Sequence, residues 1–366
     1  MSVASPLGGG LAVARRARDP ALDLLRGYFL IVIMIDHLRF AKNPLYLISG
    51  DQSLWVTAAE GFVLMSGFLV GVLRGDEARG AGLAAAARHL WRRAGVLAAW
   101  CIALTIGFRT ISQLTGYWPA VPNADTHGGF LADVLGALVL RRTYGDHNLL
   151  AAYALFLAAA PLVLAALLRG WTVAVLGASI ALWAAAYDAR WAWSNTVQAD
   201  LCWQVLFMIG IVAGFHRDRL AAWWRARAPG ARRAYLGALA AASVAIVVGS
   251  LLRMPVGAAY PTALETRLFD RERLGPGRAA AALVLVTGLY ALVRRFEAPL
   301  VRTVGRVLVP LGQASLYVYI VQSMITFVLV DRTQANPAVA AAITGAVIAT
   351  VTVMVRRRWL FAIIPR

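Results

Sequence analysis

Charged residues are scarce in this sequence. They make up 15% of the 366 residues, whereas 60% are hydrophobic and the mean hydropathy is +0.67. A soluble domain carries about 25% charged residues, so a water-facing surface is hard to build from this composition. Many separate apolar runs of about 20 residues are long enough to cross a hydrocarbon core of about 30 Å. The composition excludes an ordinary soluble protein and predicts an all-α integral membrane protein.

Lysine and cysteine are also nearly absent. Lys42 is the only lysine, so arginine carries almost all of the net charge of +18. The basic residues form no patch with interleaved aromatics, which argues against a nucleic-acid partner, and most lie in short loops between spans, as a positive-inside bias predicts. Cys101 and Cys202 lie in apolar runs, so we expect buried thiols and no disulfide framework. A signal peptide with a small-residue cleavage site is missing too, so the first span is expected to remain in the mature protein.

The apolar runs predict about ten transmembrane helices in one bundle with a central cavity. The predicted spans are 20–40, 54–73, 93–112, 148–168, 171–188, 199–216, 234–252, 279–293, 308–330 and 337–355. They define a membrane domain over residues 20–356, with tails at 1–19 and 357–366. The lipid bilayer is therefore the first expected partner.

Arginine clusters mark one side of the membrane. They precede the first span and follow the second, sixth, eighth and tenth, so this side and both termini are predicted to be cytoplasmic. The opposite loops, over 112–147 and 253–278, are longer and less basic for their size. A short interfacial or re-entrant helix is expected within the first of them, at 129–140.

The first predicted span contains ionisable residues at unusual depth, among them Asp23, Arg26, Asp36 and His37. Such groups usually face a bundle interior or a water-filled cavity. Arg26 and His37 are separated by three helical turns plus about 20°, so they share a face at axial positions about 16 Å apart. Asp23 lies one turn before Arg26, and a purely structural ion pair between them is the alternative interpretation. His37 is a candidate general base, and Asp36 beside it is a candidate partner.

The second predicted span begins with Glu60, at the depth where His37 ends the first. Glu60 either orients His37 or lies in the headgroup region, and the sequence does not separate the two. Because Asp36 is about 100° from His37 around the helix, Glu60 is the better geometric candidate. Ser66 and Gly67 follow within the same span, where small residues let helices approach closely.

Further polar residues fall in or beside later spans. Arg88, Arg92 and Arg93 form a cytoplasmic cluster that either holds phosphates or anchors the protein at the interface. Other polar side chains require partners inside the protein because lipid satisfies none of them. Together with Asp23 and Ser66, we take as candidates for a cavity lining Gln204, Gln313, Ser315 and Tyr319.

These stretches together resemble the OpgC family of membrane acyltransferases, within the wider acyltransferase-3 superfamily. The matching segments are RDPALDLLRG (18–27), DH (36–37), EGFVLMSGFLVG (60–71), WQVLFMIGIVAG (203–214) and LVPLGQASLYVY (308–319). The superfamily's R-x10-H arrangement is met by Arg26 and His37. Its R-x-x-R motif is met only loosely, by Arg88, Arg92 and Arg93.

The resemblance implies transfer of an acyl group, succinyl being typical of the family, from cytoplasmic acyl-coenzyme A to a hydroxyl of an extracytoplasmic polysaccharide or glucan. It also implies a bacterial cytoplasmic membrane. His37 would serve as general base with Asp36 or Glu60 beside it, and the arginines at 26, 88, 92 and 93 would hold the donor. We expect no permanently bound cofactor, and the five histidines show no metal-ligand spacing. Alternatives are a transporter or flippase of a glycan or acyl precursor, and a non-enzymatic envelope assembly protein.

Overall fold

The structure, a computed structural model, describes residues 19–40, 42–50, 54–118, 129–188, 195–252, 263–330 and 336–365. Over these ranges the chain is 83% helical and contains no strand, which confirms the all-α prediction. The helices are α1 (Pro20–Leu38), α2 (Tyr46–Ser49), α3 (Ala58–Gly80), α4 (Leu83–Thr115), α5 (Gly129–Leu138), α6 (Asn148–Leu168), α7 (Thr172–Tyr187), α8 (Asn195–Phe215), α9 (Arg217–Arg225), α10 (Pro229–Leu252), α11 (Ala263–Leu268), α12 (Pro276–Arg295), α13 (Glu297–Thr303), α14 (Gly305–Gln313), α15 (Ser315–Leu329) and α16 (Pro337–Arg357). The predicted cytoplasmic tail over 1–19 lies outside the described residues except for Asp19.

Seven of the helices in the described ranges are long and apolar enough to cross a membrane, and α14 with α15 makes an eighth if this bent pair is one span. The other two predicted spans also fall on helices. One is α1, which carries three charged residues, and the other is α7, whose 16 residues extend about 24 Å. The long apolar helices indicate a multi-pass membrane protein, and the total of ten spans stays a prediction.

The first predicted span, α1, lies at the centre of the bundle. It contacts α3 and α12 as well as the late helices α14, α15 and α16, so it joins early and late parts of the chain. Most of its side chains are buried. A helix that is covered on all sides by protein can carry ionisable residues that lipid would not tolerate.

A pair of glycines brings α1 against α14. A Cβ added at Gly27 would lie 2.0 Å from the carbonyl oxygen of Leu308, and one at Gly312 would lie 2.0 Å from that of Asp23. The two backbones are therefore in direct contact, each helix supplying a glycine where the other passes. This contact sets the position of the first turns of α1 relative to the end of α14.

The α3 and α8 helices pack by the same device. Gly67 and Gly71 of α3 lie against backbone carbonyls of α8, while Gly210 and Gly214 of α8 lie against carbonyls of α3. Both pairs have the small-xxx-small spacing that lets membrane helices approach closely. The expected packing role of the small residues beside Ser66 is confirmed.

The chain turns sharply between α14 and α15. The two helix axes differ by 95° across a break at Ala314, so this segment is either a broken span or a re-entrant one. The short helix α5 also agrees with the prediction of a helix at 129–140. Leu131, Leu135 and Leu138 of α5 are exposed, as an apolar helix face at a membrane surface would be.

We expect Gly27→Ala to lower the free energy of unfolding by about 1–3 kcal/mol, because the added methyl group would overlap the Leu308 carbonyl. Gly345→Ala is the matched control, since Gly345 also lies within a long helix and has open space at its Cβ position. Thermal unfolding of the purified protein in detergent measures both. Equal effects of the two substitutions would contradict the close contact of α1 with α14.

Candidate functional site

His37 lies in the last turn of α1 and is enclosed by protein atoms while keeping some accessible surface. Its Nδ1 is buried and has no hydrogen-bond partner among the described residues. The charges that act on the ring are those of Asp146, Arg39 and Arg271. The imidazole therefore lies between one carboxylate and two guanidinium groups, at the predicted outer end of the bundle.

Asp146 is the carboxylate of this site. It lies just before α6, its side chain is 4% exposed, and its Oδ1 accepts a hydrogen bond of 2.9 Å from Arg39. Its backbone oxygen accepts a hydrogen bond of 2.7 Å from the Tyr319 hydroxyl, which anchors the segment to α15. The other carboxylate oxygen, Oδ2, is buried and makes no hydrogen bond within the described ranges.

His147, the next residue, is fully buried and holds the Asp146 segment in place. Its Nε2 lies 2.7 Å from the Thr105 hydroxyl of α4, and its ring meets the edge of Phe108. Burial lowers the pKa of His147 to about 4, so the imidazole is neutral at physiological pH. Asp146 and His147 repeat the Asp-His sequence found at 36 and 37, directly before the span formed by α6. This repeated dipeptide is the signal that sequence reasoning missed.

Glu60 is fully buried, and both of its oxygens already have partners. Oε1 accepts from the Arg278 guanidinium of α12 in a buried ion pair, while Oε2 accepts from the Thr57 backbone and hydroxyl at 2.9 and 2.7 Å. The structure thus places Glu60 with Arg278 and Thr57, and Asp146 is the carboxylate whose charge acts on His37. The hydrogen bonds of Glu60 therefore go to Arg278 and Thr57 and not to His37, and its depth relative to the headgroups stays a prediction.

Asp36 is buried, and it shares Arg271 as a neighbour with His37. Its charge acts on the Tyr28 hydroxyl two turns earlier and on Arg271.

At the other end of α1, Arg26 donates a hydrogen bond to the Ser315 hydroxyl at the start of α15. Its Nε is buried without a hydrogen-bond partner in the described part of the chain. The charge of Asp23 acts on Arg26. The Asp23 carboxylate accepts a hydrogen bond of 2.9 Å from the Gln313 amide. The structural ion pair considered above is therefore replaced by an indirect arrangement in which Gln313, which is exposed, holds Asp23.

Of the three candidate arginines on α4, one faces Arg26. Arg93 is half-buried, and its guanidinium lies within electrostatic range of Arg26 and Arg74. Arg88 and Arg92 are exposed on the outer side of the helix. The positive charges that converge on the inner end of the site are thus Arg26 and Arg93.

Polar groups connect the two ends through the bundle. The Tyr153 hydroxyl of α6 lies within electrostatic range of Arg26 on one side and of Tyr319 on the other. The Tyr319 hydroxyl binds the Asp146 backbone, and Asp146 acts on His37. We call the five residues Arg26, Tyr153, Tyr319, Asp146 and His37 the polar column.

Of the remaining residues predicted to line a cavity, some border the polar column and others join two helices to each other. Ser66 lies beside the Tyr153 hydroxyl, and Ser315 beside Arg26, so both border the polar column. Gln204 instead joins α8 to α7, since its Oε1 accepts from the Ser179 hydroxyl at 2.7 Å and its Nε2 donates to the Ser179 carbonyl at 2.8 Å. Cys101 and Cys202 are free and buried, as expected.

A bundle of long apolar helices crossed by an internal line of ionisable and hydroxyl side chains defines a multi-pass membrane protein with an internal polar site. The chain belongs to the OpgC protein family, whose profile matches residues 18–362 and so covers nearly the whole sequence. It matches no curated protein and no solved structure. Membership of the family indicates a membrane acyltransferase that acts on glucan.

We expect Glu60→Gln to lower the free energy of unfolding by about 3–5 kcal/mol, because it leaves the buried Arg278 guanidinium without a counter-charge. The double variant Glu60→Gln with Arg278→Met should recover most of this loss, since it removes both charges. Denaturant unfolding measures the stability of each variant. The acyl-transfer activity of the double variant distinguishes a structural role of the Glu60–Arg278 pair from a catalytic one. A double variant that is stable but inactive would show that Glu60 serves the chemistry and not only the fold.

Proposed function

We propose that this protein transfers an acyl group from acyl-coenzyme A to a glucan hydroxyl, with His37 as the general base. The observation that supports this most is the polar column, which joins a cationic end at Arg26 to a histidine and carboxylate at His37 through an otherwise apolar bundle. The donor approaches from the arginine end and the acceptor from the histidine end. In the orientation predicted from the loop arginines, these ends face the cytoplasm and the periplasm.

The arginine end is suited to a phosphate-bearing donor. Arg26 and Arg93 lie close enough to repel each other, and the α15 N-terminus at Ser315 adds the positive end of a helix dipole beside Arg26. With only the Asp23 carboxylate acting on Arg26 among the charges described above, this end keeps a positive character that attracts an anion. The pyrophosphate of coenzyme A has the charge and the several oxygens that guanidinium groups bind in bidentate fashion.

The length of the column is suited to the rest of the donor. Arg26 and His37 are about 16 Å apart along the axis of α1. A pantetheine arm is of the same order, so phosphates held near Arg26 would place the thioester near His37. Arg26 and His37 are each enclosed by protein atoms and keep accessible surface, which supports a central cavity around the column.

The histidine end is suited to general base catalysis. The imidazole of His37 takes the proton of the acceptor hydroxyl as its oxygen attacks the thioester carbonyl carbon. The carbon–sulfur bond then breaks, coenzyme A leaves as a thiolate, and the imidazolium returns the proton to the sulfur. Asp146 stabilises the imidazolium during this step, a role that we assign to it in place of Glu60. In a transfer through an acyl-histidine, His37 would instead attack the thioester carbon as the nucleophile, the carbon–sulfur bond would break, and the acceptor hydroxyl would then take the acyl group from the imidazole.

Succinyl is the acyl group that we propose for the donor. The proposed acceptor is a glucan on the periplasmic side of the inner membrane. The proposal follows the family, and the two arginines near His37 are compatible with a carboxylate-bearing acyl chain. Parallel assays with succinyl- and acetyl-coenzyme A decide the acyl group, because the mass of the modified glucan differs between the two.

A transporter or flippase is the second candidate, and the bend of 95° between α14 and α15 favours it. Broken helices beside a polar site are common where a membrane protein moves its substrate. The two functions differ in their product. A transporter would deliver an unmodified precursor to the other side of a proteoliposome, whereas an acyltransferase forms a new ester on the glucan.

We expect His37→Gln to reduce the acyl-transfer rate by about 100- to 10,000-fold, since the general base is lost. The control is His89→Gln, because His89 is an exposed histidine on α4 that pairs with Glu77 at 2.5 Å, far along the chain from the column. Labelled acyl-coenzyme A and purified glucan measure the transfer by protein in nanodiscs. Normal activity of the His37 variant would exclude this mechanism, and an inactive wild-type protein would exclude the enzyme class.

Arg93→Gln is expected to raise the KM for acyl-coenzyme A by about 10- to 100-fold, because a charge-assisted hydrogen bond to phosphate contributes about 1.5–3 kcal/mol. Arg92→Gln, one position away and exposed, should leave this KM within about 2-fold of the wild type, since its side chain points away from Arg26. Steady-state kinetics at saturating glucan compare the two. A larger effect at Arg92 would place the phosphates on the outer side of α4.

A further inference from the structure

One buried side chain close to the polar column has no partner. Gln322 of α15 is 1% exposed, and neither its amide oxygen nor its amide nitrogen has a hydrogen-bond partner among the described residues. A buried amide without partners is costly, at about 1–3 kcal/mol for each unsatisfied group. An unsatisfied buried amide therefore calls for an explanation, and a catalytic or binding role is one such explanation.

The helix geometry directs Gln322 towards the column. Ser315, which binds Arg26, and Tyr319, which binds the Asp146 backbone, lie seven and three residues before it. At about 100° per residue, Gln322 is rotated by about 20° from Ser315 and about 60° from Tyr319, so all three project from one face of α15.

The contacts of α15 place Gln322 towards the His37 end of the column. Ser315 at the start of α15 binds Arg26, and Tyr319, about one turn later, binds the backbone of Asp146, whose charge acts on His37. Gln322 follows Tyr319 by three residues, about 4.5 Å further along α15. Its amide therefore lies beyond Tyr319 on the side away from Arg26, where the thioester of the donor would be in the proposed function.

We propose that the Gln322 amide N–H binds the carbonyl oxygen of the acyl thioester and stabilises the oxyanion formed there. This proposal rests on the proposed function. When the acceptor oxygen bonds to the carbonyl carbon, the carbonyl π electrons move to oxygen, and the proton of the hydroxyl goes to His37. When the carbonyl re-forms, the carbon–sulfur bond breaks, and the thiolate takes the proton back. The amide donates a hydrogen bond throughout and is itself unchanged.

Two other donors near this point already have acceptors. The Tyr319 hydroxyl donates to the Asp146 backbone oxygen, and Arg39 donates to the Asp146 carboxylate. The Gln322 N–H is a neutral donor that is held in a buried position and free to bind. A donor that is fixed in position within a site from which water is excluded stabilises a developing oxyanion effectively.

Gln204 provides a matched control within the same protein. It is also a buried glutamine in a helix, at 5% exposure, but both ends of its amide bind Ser179. Replacement by methionine keeps the length of the side chain and removes the amide in both cases. A purely structural glutamine and a catalytic one should then respond in opposite ways.

The experiment compares Gln322→Met with Gln204→Met for kcat, KM and thermal unfolding. We expect Gln322→Met to lower kcat by about 100- to 1000-fold with little change in KM for acyl-coenzyme A, and to unfold at the wild-type temperature or above. Gln204→Met should unfold at a lower temperature and keep the kcat of its folded fraction.

Two results would overturn the proposal. The first is a wild-type kcat of Gln322→Met, as expected if a water molecule satisfies the amide. The second is a loss of stability of Gln322→Met that equals the loss of Gln204→Met and is large enough to explain the lost activity of Gln322→Met. Failure of the proposed function gives a different result, since the wild-type protein itself would then transfer no acyl group from any short acyl-coenzyme A, and the assignment of Gln322 to an oxyanion would fall with it.

Discussion

An arginine inside an apolar bundle needs hydrogen-bond partners from the protein, since lipid provides none. Insertion of an unpaired arginine at the centre of a membrane helix costs about 2.5–3.5 kcal/mol. In this protein the helix that carries Arg26 is central and contacts α14, α15 and α16 from the far end of the sequence. The break at Ala314 brings the Ser315 hydroxyl to the guanidinium. Placement of the first and last helices therefore depends on this one interaction and on the glycine contact beside it.

The same constraint explains why the charged residues of the outer end occur in pairs. Glu60 with Arg278 and Asp146 with Arg39 each combine a buried or nearly buried carboxylate with a guanidinium from a distant segment. These pairs neutralise one another within the bundle, beside the imidazole of His37. A group that can gain and lose a proton, surrounded by charges that cannot easily do so, is a suitable arrangement for acid–base chemistry.

The inner and outer ends differ in what they can bind. The inner end concentrates positive charge from Arg26, Arg93 and the start of α15, whereas the outer end balances both signs around a histidine. A molecule with phosphates at one end and a reactive carbonyl at the other matches this polarity. In the proposed function this molecule is the acyl-coenzyme A donor, and the hydroxyl groups of the column lie between the two ends.

Much of the fold was predictable from the sequence, because membrane spans are encoded by local composition. Each of the ten apolar runs falls on a helix, and the spacing of Arg26 and His37 put them on one face without knowledge of any neighbour. Gly67 was recognised only as a small residue, since the sequence does not identify the helix that approaches it. The partners in α8 appear once the helices are packed together.

The sequence by itself determined the class of protein, the family and the two ends of the site, since these depend on hydropathy, helical periodicity and local motifs. Only the tertiary structure decided which carboxylate serves His37 and which arginine faces Arg26. Asp146 is 109 residues from His37 in the sequence, and Arg92 and Arg93 are adjacent, so neither choice has a local signal. Electrostatic partners are selected by distance in space, and that distance is set by how the helices pack.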